Sequence, residues 1–322
     1  MKKIRTFLAA LTAVTMCVGA VPVAQVHLPQ VSITASAEDL TYDNLTYRIE
    51  GDETKTVTIT GCDKNAISID IPAEIDGLPV TKIGTYAFQS HENLVKAIFP
   101  SSILTMGERV FNGDKSLRTV TLPANLKEMG TGTFSGCTSL KEISIPESVT
   151  TLGNSVFEEC TNLKSITLPS SLVSIGGSAF KNCAKLSAIV IPDNVSVLEN
   201  STFYNCTGLK EVTLSKELTT VGEQAFQNCA ALTAIELPDG VMLIGEGAFS
   251  DCTSLTEINI PADVSIIEAS TFSGCTGLEN VTFPEGLTYI KGNAFGNCTK
   301  LKNVKFPDSL TTIEYRACLL YT

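Results

Sequence analysis

The chain has 322 residues, with 34 acidic against 23 basic side chains and a formal net charge of −11. This acidic balance argues against nucleic acid and anionic membrane surfaces as partners. The chain contains only two histidines, so few candidates exist for acid–base catalysis by histidine.

Residues 1–37 have the pattern of a secretory signal peptide. Lys2, Lys3 and Arg5 form a basic start, an apolar run extends from Phe7 to Ala24, and the small residues around Ala37 fit an A-x-A cleavage site. Cleavage after Ala20 or Ala24 and a retained membrane anchor are alternatives, as is lipidation of Cys17. After removal of residues 1–37 the chain has 34 acidic and 20 basic residues, a net charge of −14, and we expect no membrane insertion.

Residues 38–87 are predicted to form an N-terminal capping segment. Residues 45–49 and 56–60 alternate apolar and polar side chains and flank Gly51, which predicts a β-hairpin. A further strand is predicted over residues 66–71. Because a solenoid exposes apolar core at its end, this segment is expected to cover the first coil.

Residues 88–317 repeat with a period of 23 residues. A period in this range predicts a repeat solenoid, since one unit cannot bury its apolar side alone. The repeat is marked by phenylalanine at positions 88, 111, 134, 157, 180, 203, 226, 249, 272 and 295.

Each coil has the same internal order. The phenylalanine is expected in a short helical turn, which Gly or Asn two residues later closes in a left-handed conformation. A leucine follows at position +6, counted from the phenylalanine, and the apolar pair at +9 and +11 flanks one outward residue, which predicts a strand. A V-x-x-I segment completes the coil, for example Val149 with Leu152.

Eight of the 11 cysteines stand three residues after a repeat phenylalanine. Side chains at equivalent positions of adjacent coils point the same way, whereas a disulfide needs converging Cβ atoms. Buried free thiols are therefore favoured over disulfides, and no cysteine–histidine cluster suggests a metal site. In the first two coils His91 and Asp114 replace this cysteine, which suggests a more hydrated array end.

The pattern A-F-x-x-C-x-x-L-x-x-I-x-I-P-x-x-V-x-x-I-G resembles the BspA-like, or treponemal, leucine-rich repeat family over residues 45–318. The resemblance implies a β-rich solenoid with short helical turns, wound as a right-handed leucine-rich-repeat superhelix with an N-terminal β cap. It also implies an exported or surface-exposed bacterial protein, and it supplies no catalytic residues.

No motif for catalysis is found. His91 is the only histidine after residue 37, and there is no G-x-S-x-G elbow or P-loop. We therefore expect no enzyme, no cofactor and no bound metal.

A surface remains as the candidate functional site. The outward strand residue at position +10 forms a row on what the resemblance makes the concave face, and we expect this row to receive an extracellular protein or polysaccharide. An alternative interpretation is that threonine and serine simply suit a strand surface. The row comprises Thr121, Ser144, Thr167, Val190, Thr213, Glu236, Asn259, Thr282 and Lys305.

A neighbouring acidic stripe at position +13 comprises Glu147, Asp193, Asp239, Glu285 and Asp308. It could steer a basic partner or hold calcium loosely, although a solvated surface is the simpler interpretation.

The predicted function is non-catalytic, adhesion-type binding by a secreted or surface-associated protein. The alternative is a display or assembly module of a larger secreted polypeptide. Cys318 stands where a phenylalanine belongs, so residues 318–322 are predicted to be a truncated coil that a partner or a further module would cover.

Overall fold

The computed structural model describes residues 39–302 and 304–318. The predicted signal peptide lies outside the described residues, and so does most of the predicted truncated coil. The described chain is a β-solenoid of about 11 turns, which confirms the predicted repeat architecture.

The N-terminal cap is built from antiparallel strands. β1 (Leu40–Tyr42) pairs with β2 (Leu45–Glu50), and β2 pairs with β3 (Thr56–Cys62). β3 then runs parallel to β6 (Leu78–Ile83), which itself pairs with the short strand β5 (Glu74–Ile75). The predicted hairpin is therefore present, and β6 joins the cap to the array by pairing in parallel with Thr105–Met106 of the first coil.

In most coils a strand of three residues, here called the front strand, follows the repeat phenylalanine. The cap contributes an equivalent strand, β4 (Ser68–Asp70), at the start of this row. The other front strands are β7 (Lys96–Ile98), β9 (Thr119–Thr121), β11 (Glu142–Ser144), β13 (Ser165–Thr167), β15 (Ala188–Val190), β17 (Glu211–Thr213), β20 (Glu257–Asn259) and β22 (Asn280–Thr282).

A rear strand of two residues lies in the second half of each coil. The rear strands are β8 (Thr105–Met106), β10 (Glu128–Met129), β12 (Thr151–Leu152), β14 (Ser174–Ile175), β16 (Val197–Leu198), β18 (Thr220–Val221), β19 (Leu243–Ile244), β21 (Ile266–Ile267), β23 (Tyr289–Ile290) and β24 (Thr312–Ile313). Paired rear strands are parallel, and partners lie 23 residues apart, as Thr151 does from Ser174.

The repeat phenylalanines form one continuous column in the core. Their rings stack with centroids 5.3–5.6 Å apart from Phe88 to Phe295, and every ring is buried. Burial of one large side chain contributes about 1.5–3 kcal/mol. Because each ring between Phe88 and Phe295 is covered by the rings on either side, this contribution depends on the neighbouring coils.

The segment around each phenylalanine is a series of turns, and the described residues contain no helix. Bonds from residue i+3 to residue i, such as Cys183 N–H to Phe180 O at 3.1 Å, alternate with bonds to the next coil, such as Phe180 N–H to Thr202 O at 2.9 Å. These intercoil bonds take the donors that would continue a helix, which is why the predicted helical turn does not develop.

Two left-handed residues bracket each of these turns. The residue at position +2 has φ between 57° and 80° from Ser90 to Asn297, as its frequent Gly and Asn predict. The residue two positions before the phenylalanine is also left-handed, with φ between 52° and 62° from Tyr86 to Arg316. The residue types at this position did not predict a left-handed conformation. The backbone adopts it where its N–H bonds to a carbonyl of the next coil.

The cysteine column is buried, and in the part of the chain that the structure describes none of these cysteines forms a disulfide. Each thiol of the cysteine column donates a hydrogen bond to the phenylalanine carbonyl of the preceding coil, as Cys206 Sγ does to Phe180 O at 3.0 Å. Burial raises the pKa of the Cys206 thiol to about 12. The prediction of buried free cysteine agrees with this geometry, and the hydrogen bond is an additional role.

Candidate functional site

The nine residues of the predicted ligand row are all exposed. Seven of them end a front strand, whereas Glu236 and Lys305 lie in coils where no front strand forms. The inward neighbours are buried, as Ile143 and Ile166 are beside Ser144 and Thr167. The period-two alternation therefore directs the row outward, and the front strands together with their outward side chains are here called the front face.

The strand ladder of the front face is interrupted. β4, β7 and β9 form one sheet, while β11 pairs only with β13, β15 only with β17, and β20 only with β22. A shallow depression of about 360 Å³ lies across the break between β9 and β11, lined by Arg118, Thr119, Glu142, Ser144 and Thr167 among others.

A second depression of about 800 Å³ follows β17, where residues 234–236 form no strand. Lys210, Thr213 and Glu236 line it. The breaks thus place two members of the row in each depression, Ser144 with Thr167 and Thr213 with Glu236.

Basic side chains border the front face and were not predicted from the sequence. Position +7 carries Arg118, Lys141, Lys164, Lys210 and, in the last coil, Lys302, all exposed. Arg118 lines the first depression and Lys210 lines the second. Aligning the coils on phenylalanine would have shown this column, since four of five successive coils carry a cation there.

The acidic stripe at position +13 has a structural role in two coils. Glu147 Oε2 accepts hydrogen bonds from the backbone N–H and the hydroxyl of Ser170, at 3.1 and 3.2 Å. Asp193 Oδ1 accepts from the N–H of Lys216 at 3.2 Å. Both bonds join a coil to the next one, and among the described residues no group of three or more potential ligands could hold a metal ion.

The interpretation of His91 and Asp114 as a hydrated array end is wrong, because both side chains are buried. His91 Nδ1 lies 2.8 Å from Phe88 O, and the His91 N–H donates to Asp114 Oδ1 at 2.7 Å. Burial raises the pKa of Asp114 to about 8, and its Oδ2 has no hydrogen-bond partner. The pair takes the place of the thiol hydrogen bonds at the start of the array.

No helix among the described residues has the length and apolar character needed to span a bilayer. A search of curated proteins finds no match for this chain. A family model described as "BspA type Leucine rich repeat region" matches residues 81–210 and 197–318 in six copies.

Solved structures of bacterial leucine-rich repeat proteins are similar to this chain. A leucine-rich repeat protein from T. pallidum is 32% identical with a TM-score of 0.56, over 61% of this chain and 91% of that chain. One from Bacteroides ovatus is 26% identical with a TM-score of 0.48, over 85% and 96%. A leucine-rich cell surface protein from Faecalibacterium prausnitzii is 26% identical with a TM-score of 0.41, over 83% and 94%.

The matched region covers most of the chain and coincides with the phenylalanine, cysteine and leucine columns of the described solenoid. The chain therefore belongs to the BspA type leucine-rich repeat family.

Proposed function

We propose that this chain is a non-catalytic binding protein that holds an extracellular protein or glycan on its front face. The observation that carries the proposal is the exposed row of outward residues, held on a backbone that a continuous buried core makes rigid. Leucine-rich repeats and other solenoids present such extended surfaces to partners.

We propose further that the protein acts outside the cytoplasm, either secreted or at the bacterial cell surface, in an adhesion-type role. The support is the predicted signal peptide of residues 1–37 together with family membership.

The proposal is tested by blocking the front face. Thr121→Tyr combined with Thr167→Tyr adds neutral bulk to β9 and β13, and tyrosine suits a strand surface, so folding should persist. The matched control, Thr105→Tyr with Ser174→Tyr, makes the same change on the exposed rear strands β8 and β14.

Both variants are presented to immobilised extracellular matrix proteins and polysaccharides beside the unchanged protein. The proposal expects the ligands retained by the unchanged protein and by the control to be lost by the front-face variant. Normal retention by the front-face variant would refute the assignment of this face and would favour the display or assembly role.

A further inference from the structure

Three successive coils place an unpaired cation at the border of the front face. Arg118, Lys141 and Lys164 occupy the same position of their coils and are exposed. The backbone places Lys164 directly above Lys141, with Lys164 N–H donating to Lys141 O at 2.9 Å. None of the three forms an ion pair with another described residue, which is notable in a chain of net charge −11.

The surface beside these cations is polar and partly open. Thr119, Ser144, Ser165 and Thr167 present hydroxyl groups around the 360 Å³ depression, and Glu142 is its one acidic lining residue. The depression crosses the break between β9 and β11, where the strands do not pair with each other. Hydroxyl groups and an open strand ladder are hydrogen-bonding partners for a polar ligand.

The charge of the front face changes sign along the array. From the coil of the second depression onward, outward or bordering positions carry Glu236, Glu257 and Glu279, and the last coil returns to positive charge with Lys302 and Lys305. An anionic ligand is therefore attracted to the coils of β7 to β13 and repelled by the coils around β20 and β22. The Debye length of about 8 Å at physiological salt keeps these two regions electrostatically distinct.

We infer that the front face from β7 to β13 binds an acidic polysaccharide, whose carboxylate or sulfate groups contact Arg118, Lys141 and Lys164 while its hydroxyl groups contact the threonine and serine side chains. This inference rests on the proposed function and specifies its ligand.

Two features favour a polysaccharide over an acidic peptide. Interfaces with protein partners are enriched in aromatic residues at their buried centre, and no aromatic residue occupies the outward positions of β7 to β17. Side chains on one side of an extended peptide also recur every ~6.6 Å, whereas neighbouring strands lie ~4.8 Å apart, so regularly spaced peptide carboxylates do not match the cation column.

The test measures binding of the purified protein to heparin and to polygalacturonate, with neutral dextran and poly-L-glutamate as comparison polymers. The variant Arg118→Gln/Lys141→Gln/Lys164→Gln removes the cation column. The matched control, Lys55→Gln/Lys64→Gln/Lys127→Gln, removes the same charge from exposed positions outside the front face.

The expected result is binding of at least one acidic polysaccharide and not of dextran, with the triple variant weakened about tenfold and the control unchanged. Loss of three charge contacts should also reduce the slope of log K against log[salt] by about 2. Equal weakening of both variants would overturn the inference. Binding of poly-L-glutamate as tight as, or tighter than, binding of the acidic polysaccharides would also overturn it.

The outcome separates this inference from the proposed function. If neither acidic polysaccharide binds, while the tyrosine variant of the front face still loses another ligand, the acidic-polysaccharide assignment is wrong and the front face remains a binding surface.

Discussion

The side chain three residues after each phenylalanine decides how adjacent coils join at the edge of the core. A thiol donates to the phenylalanine carbonyl of the preceding coil at 3.0–3.2 Å in eight coils. At the start of the array the carbonyl of Phe88 instead contacts His91, and Asp114 accepts the His91 N–H. The same position therefore accommodates a donor or an acceptor, provided that its partner changes with it.

Cys206→Ala should destabilise the protein only mildly, by about 1–2 kcal/mol. The change removes one hydrogen bond and leaves a small void, while Phe180 O keeps the N–H of Cys183 at 3.1 Å. Thermal melting with and without a reducing agent checks this, and the unchanged protein should melt alike in both. A loss of tens of degrees confined to non-reducing conditions would contradict the free-thiol structure.

Asp114→Asn should flatten the pH dependence of stability. The pKa of Asp114 is raised by burial from 3.8 to about 8, so the folded state keeps a proton that the unfolded state releases. The free energy of unfolding therefore decreases as pH rises from about 4 to about 8. Asparagine cannot ionise and keeps an oxygen for the His91 N–H.

The variant should accordingly be more stable than the unchanged protein at pH 8, by at least about 1.4 kcal/mol, the equivalent of one pKa unit. Urea unfolding at pH 5 and pH 8 measures this difference. If the free energy of unfolding changed equally between pH 5 and pH 8 in the variant and in the unchanged protein, Asp114 would ionise as readily in the folded state as in the unfolded state.

At the scale of the strand, the breaks in the rear sheet coincide with a change of residue type four positions before the phenylalanine. The sheet ends after β14 and again after β19. At both breaks a coil with glycine is followed by a coil with glutamate, Gly176 by Glu199 and Gly245 by Glu268. Backbone of the preceding coil lies where a Cβ would stand at the glycines, so the coils with glutamate must sit differently.

Gly153→Ala should therefore destabilise the array by about 1–3 kcal/mol, the usual cost of overpacking. A Cβ at Gly153 would stand 2.6 Å from Thr131 N and 2.7 Å from Gly130 C, both backbone atoms. Chemical denaturation measures the loss. Glu199→Ala, at the equivalent exposed position of another coil, is the control and should change stability by less than about 0.5 kcal/mol.

At the scale of the whole molecule, the stability of each coil depends on the coils next to it. The phenylalanine column is continuous, so each coil depends on its two neighbours and on the cap at the N-terminal side. Val57 and Ile59 of β3 are buried in the same core as the first coil. The cap is thus part of the array's core.

Ile59→Asp should loosen the array from the N-terminal side by placing an unpaired charge in that core. Hydrogen exchange of the backbone N–H groups of Phe88 and Phe111 should accelerate more than that of Phe226 and Phe249. Lys55→Asp, on an exposed residue of the same cap, should leave exchange unchanged. Uniform acceleration along the array would show that the coils unfold as one unit.

The sequence by itself determined the coil length, the inward columns, the N-terminal hairpin, the left-handed +2 position and the family. These follow from local spacing, because a period of 23 residues aligns equivalent side chains whatever their exact contacts. The outward direction of the ligand row also follows from strand alternation, although the identity of its ligand does not.

Only the tertiary structure decided how the coils are joined. The carbonyl that each cysteine contacts lies 26 residues away, the left-handed conformation of Tyr86 or Arg109 accompanies a bond to the next coil, and Asp114 is desolvated by burial. Such interactions depend on atoms brought together by stacking. The same holds for the depressions of the front face, because the breaks in strand pairing that form them have no counterpart in the repeat pattern.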